Sequence, residues 1–197
     1  RAFLADYAFL VHGLLDLYES DFDRRWLELA LKLGREMVGS FWDKENGAFF
    51  PTADHHEKLI LRRKEFYDGA VPAGNSFALL DMLRLQEFTA DKVFEEPVKL
   101  FKKLAAGLVE KFPHMHPQLS CALEFVLFDP LEIVVCGSLE DPLTRAMLKE
   151  IRGRFFPAKV VVHSASAEAA ASLSSLVPLV EAKMPIGGKP TAFVCRR

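Results

Sequence analysis

The chain has 197 residues, half of them hydrophobic, and a formal net charge of −2 at pH 7. This length supports one well-filled core or two small ones, and the near-neutral charge gives no electrostatic basis for binding nucleic acid or an anionic membrane. No apolar run approaches the roughly 18–20 residues that span a bilayer, and no signal peptide is visible. The three cysteines are odd in number and widely spaced, which argues against a disulfide framework, so we expect a cytoplasmic protein.

The first 128 residues are predicted to be helices joined by loops. Apolar residues recur at spacings of three and four, which predicts a helix beginning near Leu4 and a second one capped by Asp21 or Asp23. The later predicted helices cover 75–88, 92–112 and 118–128. A long loop precedes the third helix, from Pro51 to Ala73. Because apolar helices alternate with charged ones, we predict inner and outer layers of stacked α-hairpins.

The pattern changes after Asp129-Pro130, where short apolar runs alternate with helices of about a dozen residues. The predicted strands cover 131–136, 159–163 and 191–195, and the predicted helices cover 142–156 and 167–182. Such alternation is typical of βαβ units and predicts a small parallel sheet covered on both faces. We therefore place a boundary near 129, with helical hairpins in 1–128 and a small α/β segment in 129–197.

Both ends of the chain look cut. Helical periodicity is already established soon after Arg1, and the chain stops at Arg197 directly after the last predicted strand. We therefore expect this chain to be a fragment of a larger protein.

Polar groups are densest in the loop that leads into the third helix. A helix start presents unpaired N–H groups and a partial positive charge, which attract polar ligands. Glu65 and Asp68 are the candidate acid–base carboxylates of this loop. The candidate ligand-binding residues are Lys64, Tyr67, Asn75 and Ser76. The alternative is that Asp68 only braces the turn and pairs with Lys64.

The first helix carries two polar residues beside its apolar stripe. Asp6 is costly to bury unless it is paired, so it either lines a cavity shared with the loop or occupies the edge of the stripe. It is the third candidate catalytic carboxylate. His12 also lies close to the apolar stripe, and we interpret it as a packing residue.

Other motifs favour simpler interpretations. His55-His56 and His114-Met115-His116 match no metal-ligand spacing, so we expect no metal and no cofactor. Cys136-Gly137-Ser138 follows a strand but lacks the glycine fingerprint of a nucleotide site. The aromatic pairs Phe41-Trp42 and Phe49-Phe50 either stack against a sugar ring or anchor the loop on the helices.

Several motifs occur in a fixed order along the chain. They are Leu4-Ala5-Asp6-Tyr7-Ala8, Gly47-Ala48-Phe49-Phe50, Arg63 to Ala70, Pro72 to Ser76, Ala122 to Phe125, Glu132 to Val135 and Gly188 to Arg196. This series resembles the YyaL-type family, also called spermatogenesis-associated thioredoxin-like proteins, over essentially the whole chain. Two positions depart from the family pattern. Ala48 stands where Gly is expected, and Ala73 stands where Ser is expected, which removes a hydroxyl from the loop.

The resemblance implies a fold and a set of partners. Family members carry a thioredoxin-like domain followed by an (α/α)6 toroid related to six-hairpin glycosidases and N-acylglucosamine 2-epimerases. This chain is expected to be mainly α, a partial (α/α) toroid followed by a small βαβαβ parallel sheet. Its expected partners are the N-terminal toroid and thioredoxin-like portions of the same protein. The resemblance also places Asp6 and the loop at 64–76 near a central cavity.

Three hypotheses about function follow. The first is a carbohydrate-active hydrolase or epimerase that uses Asp6, Glu65 and Asp68. The second is a non-catalytic module that binds a partner or a small polar or carbohydrate-like ligand. The third is a scaffold without a ligand. A toroid that lacks its first hairpins exposes apolar helix faces, so we also expect self-association of this fragment.

Overall fold

The structure is a computed structural model that describes residues 2–56 and 61–196. Arg1, Arg197 and the part of the predicted loop at 57–60 lie outside the described residues. The helices are α1 (Leu4–Asp21), α2 (Arg24–Phe41), α3 (Gly74–Thr89), α4 (Glu95–Lys111), α5 (Pro117–Leu127), α6 (Pro142–Arg152) and α7 (Ala167–Ser174). The strands are β1 (Leu131–Cys136), β2 (Lys159–Ser164) and β3 (Thr191–Cys195). The protein is therefore mainly helical, as predicted.

Local signals explain most of the helix ends. Asp23 caps α2 by accepting the N–H of Arg25, and a left-handed residue, Phe22, ends α1. Two predicted helices end earlier than expected. The helix predicted to reach 156 ends at Arg152, and the one predicted to reach 182 ends at Ser174, before a 3₁₀ turn that begins at Pro178.

Helices α1, α3 and α5 lie side by side and run in the same direction. A Cβ on Gly74, at the start of α3, would lie 3.1 Å from the Cα of Ala5, at the start of α1. Near the other ends of the two helices, Arg84 Nη1 lies 2.7 Å from Asp16 Oδ1. The start of α5 is tied to the start of α3 through Asp68. The amino-terminal ends of three helices therefore meet at one end of the molecule.

The three strands form one mixed sheet in the order β2-β1-β3. Strands β1 and β2 are parallel, with Ile133 opposite Val161, but β3 pairs antiparallel with β1, placing Val194 opposite Ile133. The prediction of an all-parallel sheet was therefore wrong for β3. The connection from β2 runs through α7 and a tight turn at Gly187 and Gly188, both with positive φ, and β3 starts beside Cys136, at the same end of the sheet where β2 ends.

Alternating residues of the sheet pack against different neighbours. Val134 and Val162 join the main core with the helical hairpins, whereas Val135 and Val161 pack with Leu148 of α6 on the other face. Strands β1 and β2 are thus covered on both faces, as their near-continuous apolar sequence predicts.

Helix α1 also contacts the α/β segment directly. Glu19 Oε1 accepts the backbone N–H of Val161 on the outer edge of β2 at 3.0 Å, and Arg152 of α6 donates to the carbonyls of Glu19 and Ser20. These contacts join the two segments that the sequence divides near 129. Within residues 2–56 and 61–196, no helix combines the length and hydropathy needed to cross a bilayer.

Candidate functional site

Asp68 is the central brace of the predicted loop. Its side chain is buried, and its two carboxylate oxygens accept the backbone N–H groups of Ala73 at 2.9 Å and Leu119 at 3.1 Å. Its own N–H donates to the carbonyl of Met115. Ala73 precedes α3 and Leu119 lies in the first turn of α5, so one carboxylate fixes the starts of both helices.

Asn75 is a second buried brace. Its Oδ1 accepts the N–H of Phe49 at 2.8 Å, and its Nδ2 donates to the carbonyls of Phe49 and Glu65 at 3.0 Å each. The amide thus pairs with two extended segments, as a neighbouring strand would do, and holds the segment at 61–68 against the turn before it. These bonds use both the acceptor and the donor side of the amide.

Lys64 pairs with Asp43 rather than with Asp68. Its ammonium lies 2.7 Å from Asp43 Oδ2 and also donates to the carbonyl of Gly47. Burial alone would raise the pKa of the Asp43 carboxyl, but hydrogen bonds from Lys64 and from Asn46 and Glu45 outweigh it and hold that pKa well below its usual range. This pair clamps the turn that precedes the loop.

The remaining predicted residues differ strongly in exposure. The side chains of Glu65 and Tyr67 face solvent, and Tyr67 is 62% exposed. Ser76 is fully buried, and its Oγ has no hydrogen-bond partner among the described residues. Asp6 is exposed and accepts the N–H of Phe3 at 2.7 Å, which caps the start of α1. The predicted candidate residues therefore fall into two groups, buried residues that brace the loop and residues whose side chains are exposed.

The aromatic pairs anchor the loop on the helices. Phe49 is fully buried, with its ring centroid 5.0 Å from that of Trp42 and 6.2 Å from that of Phe101 of α4. Phe66 of the loop also contacts Phe101. Phe50 is half-buried and lies below the cationic groups of Arg62 and Lys64.

The structure shows the backbone conformation at the two positions, 48 and 73, where the sequence departs from the expected residues. Ala48 has a φ of 60°, a left-handed conformation in which Gly is favoured. Ala73 is the N-cap residue of α3 and makes no side-chain capping hydrogen bond, whereas Ser is a preferred residue there. At position 48 the expected Gly would adopt the left-handed conformation with less strain, and at position 73 the expected Ser could cap α3.

Histidines and cysteines form no metal cluster in the described part of the chain. His116 is buried, and its Nδ1 lies 2.7 Å from the carbonyl of Phe66, which ties it to the loop. Burial raises the pKa of the Cys136 thiol and also that of the exposed Cys121. Both thiols are therefore poor nucleophiles at neutral pH.

A polar cluster between α1 and α3 was not predicted. His12 Nδ1 lies 2.8 Å from Oδ1 of the fully buried Asp81, and Arg84 contacts Asp16 and lies 3.5 Å from Glu19. Burial raises the pKa of Asp81 to about 6, although the hydrogen bond from His12 and the charge of Arg84 oppose this. Asp81 and Arg84, like Glu87, are buried charged residues on a helix whose other buried residues are mostly apolar, which is the signal that could have identified them.

No protein-family model matches the chain. Human spermatogenesis-associated protein 20 is 32% identical over 194 residues, which cover 98% of this chain and 25% of the human protein. The chain is homologous to part of spermatogenesis-associated protein 20.

Two further relatives show the same coverage. The mouse spermatogenesis-associated protein 20 is 31% identical over 193 residues, 98% of this chain and 24% of that protein. An uncharacterised Caenorhabditis elegans protein is 28% identical over 196 residues, 100% of this chain and 26% of that protein. The chain thus spans about a quarter of the length of the relatives it matches.

Proposed function

We propose that this chain is the C-terminal part of a longer thioredoxin-domain-containing protein, and that the end of its helical layer binds a small polar, carbohydrate-like ligand. In this proposal, α1 to α5 are the last hairpins of an (α/α) toroid, and redox chemistry lies in a thioredoxin-like portion elsewhere. Two findings support the architecture. The relatives are about four times as long as this chain, and α1, α3 and α5 run parallel, as neighbouring inner helices of such a toroid would.

One observation carries the ligand proposal: a rigidly braced loop presents exposed side chains where three helix starts meet. Asp68 and Asn75 hold the loop backbone from within, which lowers the ordering cost of binding. Glu65 and Tyr67 remain exposed on the same loop. A carboxylate accepts hydroxyl protons and an aromatic ring packs against the apolar face of a sugar, so this pair suits a hydroxyl-bearing ring.

Binding is better supported than hydrolysis. Glycoside hydrolysis needs two carboxyl groups about 5–10 Å apart, one of which transfers a proton. Asp68 is buried with both oxygens engaged by backbone N–H groups, and Asp6 caps its own helix. Both carboxylates therefore already have structural partners. The hydrolase or epimerase remains the alternative, and a scaffold without a ligand is the second alternative.

The ligand proposal is tested by saturation-transfer difference NMR with D-glucose, D-mannose, N-acetyl-D-glucosamine and N-acetyl-D-mannosamine as probes. At least one probe should show saturation transfer, and Tyr67→Ala and Glu65→Gln should each weaken binding about tenfold. Phe155→Ala is the matched control, because Phe155 is 90% exposed on the other segment and its loss should change nothing. Absence of transfer from every probe, or an unchanged signal in Tyr67→Ala, contradicts the proposal.

The proposed partner of this chain, the remaining toroid, would cover one side of α1. Phe3, Leu10 and Leu17 repeat every seven positions, so they share one side of the helix, and about half of each side chain is exposed. A Cβ on Gly13 would meet nothing within 4 Å, so this part of α1 is open. Because helices that are apolar on all sides are normally buried, this exposed apolar side of α1 is the surface that we propose the remaining toroid covers.

The same surface explains the expected self-association of the chain expressed alone. Sedimentation velocity should show concentration-dependent association that Leu10→Lys with Leu17→Lys abolishes. Leu127→Lys is the control, since Leu127 is 77% exposed elsewhere in the helical segment. A monodisperse monomer at all concentrations would contradict the proposed surface.

A further inference from the structure

His12 is held by a buried carboxylate but is itself accessible. Its Nδ1 lies 2.8 Å from Asp81 Oδ1, and a quarter of the His12 side chain is exposed while Asp81 has no exposed surface. An ionised carboxylate can only accept a hydrogen bond, so Nδ1–H donates, and in the tautomer with a single ring hydrogen Nε2 is the acceptor. Nε2 lies 3.8 Å from Oδ2 of Asp16, a side chain that is itself exposed.

The other charged groups near this pair are already matched. On α1, Asp16 Oδ1 pairs with Arg84, and Glu19 accepts the N–H of Val161 and lies near Arg84. Burial raises the pKa of Glu19, an effect opposed by the charges of Arg84 and of Lys159 on β2. Within the described residues, the second oxygen of Asp81 has no hydrogen-bond partner. The His12 ring is therefore the polar group through which Asp81 reaches the surface.

One aromatic ring contacts His12, and a second ring contacts the first. The ring of Phe77 on α3 lies edge-on to His12 with centroids 4.6 Å apart, and Phe9 lies edge-on to Phe77 at 5.1 Å. Phe9 is partly exposed and Phe77 is half-buried. We call Phe9, His12, Asp16 and Phe77 the α1–α3 seam.

The seam lies on a different side of α1 from the apolar stripe of Phe3, Leu10 and Leu17. At 3.6 residues per turn, Phe9 and Asp16 lie toward α3, where Ala5 and His12 also contact that helix. The stripe lies about a third of a turn further round. A helix packed on the stripe would therefore leave the seam free.

We propose that the α1–α3 seam is a binding site for a hydroxyl-bearing ring, with His12 as its polar anchor. The inference rests on the proposed carbohydrate-like ligand and assigns it a second site, separate from the loop of Glu65 and Tyr67. His12 Nε2 accepts a hydrogen bond from a ligand hydroxyl, Asp81 is the positioning residue that fixes the imidazole, and the apolar face of the ring packs against Phe9 and Phe77. Aromatic rings beside a few placed polar groups are the usual composition of such sites.

A purely structural ion pair would have different features. It would bury both partners or satisfy both carboxylate oxygens, since an unpaired buried oxygen is costly. Here the carboxylate is fully buried, and one of its oxygens has no hydrogen-bond partner among the described residues, while a quarter of the imidazole is exposed beside the ring of Phe77. The pattern resembles the way a carboxylate orients a functional histidine through one ring nitrogen.

The first test is the tautomer of His12, which needs no ligand. In long-range ¹H–¹⁵N spectra at pH 7.5, Nδ1 should carry the hydrogen and Nε2 should be bare. A hydrogen on Nε2 at this pH overturns the acceptor role. Asp81→Leu should lose the preference for Nδ1–H, whereas Asp81→Asn should retain it through the carbonyl oxygen of its amide.

The second test locates binding with the four monosaccharide probes named above. Chemical-shift changes should appear at His12, Phe9 and Phe77 as well as at the loop of Glu65 and Tyr67. His12→Ala should abolish the changes at the seam, with a folded spectrum. His114→Ala is the matched control, because His114 is exposed away from the seam. If shifts centre on Glu65 and Tyr67 and leave His12 unchanged, this inference fails and the proposed function stands. If no probe binds, both fail.

Discussion

The carboxylate of Asp68 accepts the backbone N–H of Leu119 across 51 positions of sequence. Its other oxygen accepts the N–H of Ala73, so the starts of α3 and α5 share one acidic cap. The residues just before α5 do not supply this cap. The N-cap residue, His116, makes no side-chain capping hydrogen bond, and Pro117 has no N–H to be capped. The relationship explains why a buried charge is retained in the loop.

Replacement of Asp68 by Asn should destabilise the fold by about 2–3 kcal/mol, because one of the two N–H groups would then face an amide donor. Chemical denaturation measures this loss. Asp141→Asn is the matched control: Asp141 caps α6 through one N–H, and Asn caps nearly as well. Equal small losses for the two variants would show that the shared cap is unimportant.

Ala73→Ser should stabilise the protein by about 1 kcal/mol, because Ala73 is the N-cap residue of α3 and lacks a capping side chain. The new hydroxyl would accept an N–H in the first turn. Ala73→Val adds bulk without an acceptor and should not stabilise. The midpoint of thermal unfolding distinguishes them, and a gain from Val equal to that from Ser would exclude capping as the cause.

Gly74→Ala should cost about 1–3 kcal/mol, because the added Cβ would lie 3.1 Å from the Cα of Ala5 and push α1 away from α3. Gly107→Ala, within α4, has open space around its added Cβ and should instead stabilise by about 0.5–1 kcal/mol. Denaturant unfolding of the two variants should therefore give changes of opposite sign. A stabilising Gly74→Ala would disprove the close helix approach.

The stability of the fold should carry a pH dependence from Asp81. Burial raises its pKa to about 6 from the ordinary 3.8, so the folded state holds this proton more tightly than the unfolded chain. The resulting stabilisation is complete below about pH 3.8 and is lost as the pH rises through about 6. At about 1.4 kcal/mol per pKa unit, the loss is on the order of 2–3 kcal/mol.

Asp81→Asn should remove this loss. Denaturation curves of wild type and Asp81→Asn between pH 4 and 7.5 should therefore diverge, with the variant changing less. Asp54→Asn is the control, because the Asp54 side chain is 76% exposed. Parallel curves for wild type and Asp81→Asn would show that Asp81 does not titrate in this window.

The Asp43–Lys64 pair should give the stability of the fold a pH dependence opposite to that of Asp81. The folded-state pKa of Asp43 is depressed, so its contribution is present above the ordinary pKa and is lost as the pH falls through the depressed value. Lys64→Met should raise the pH at which acid unfolding begins and cost about 2–3 kcal/mol at neutral pH. Lys103→Met, at an exposed position of α4, should change neither quantity. Circular dichroism during acid titration measures the midpoint.

Local sequence signals predicted the helices and strands well. The three strand positions follow from runs such as 131–136, and the cap at Asp23 follows from residue type. The direction of β3 was not predicted, because it depends on whether the chain after α7 starts β3 at the end of the sheet where β2 ends or at the opposite end. Strand pairing depends on the path of the chain between strands, which periodicity does not report.

The candidate site was predictable only as a region. The dense polar loop was identified, but its partners are distant: Asp43 for Lys64 and Phe49 for Asn75. The pairing of His12 with Asp81, 69 positions apart, could not be derived from spacing because it depends on the packing of two helices. Residue type suggests which groups need a partner, and only the fold determines which partner they find.

The hydrogen bond from Val161 to Glu19 makes α1 a structural member of both segments. The edge of β2 is closed by a helix from the far side of the boundary near 129, and Arg152 adds two further bonds to the end of α1. The two segments should therefore unfold in a single cooperative transition rather than in two. Recombination at this boundary would separate Glu19 from its strand, so the helical and α/β segments are expected to have been inherited as one unit.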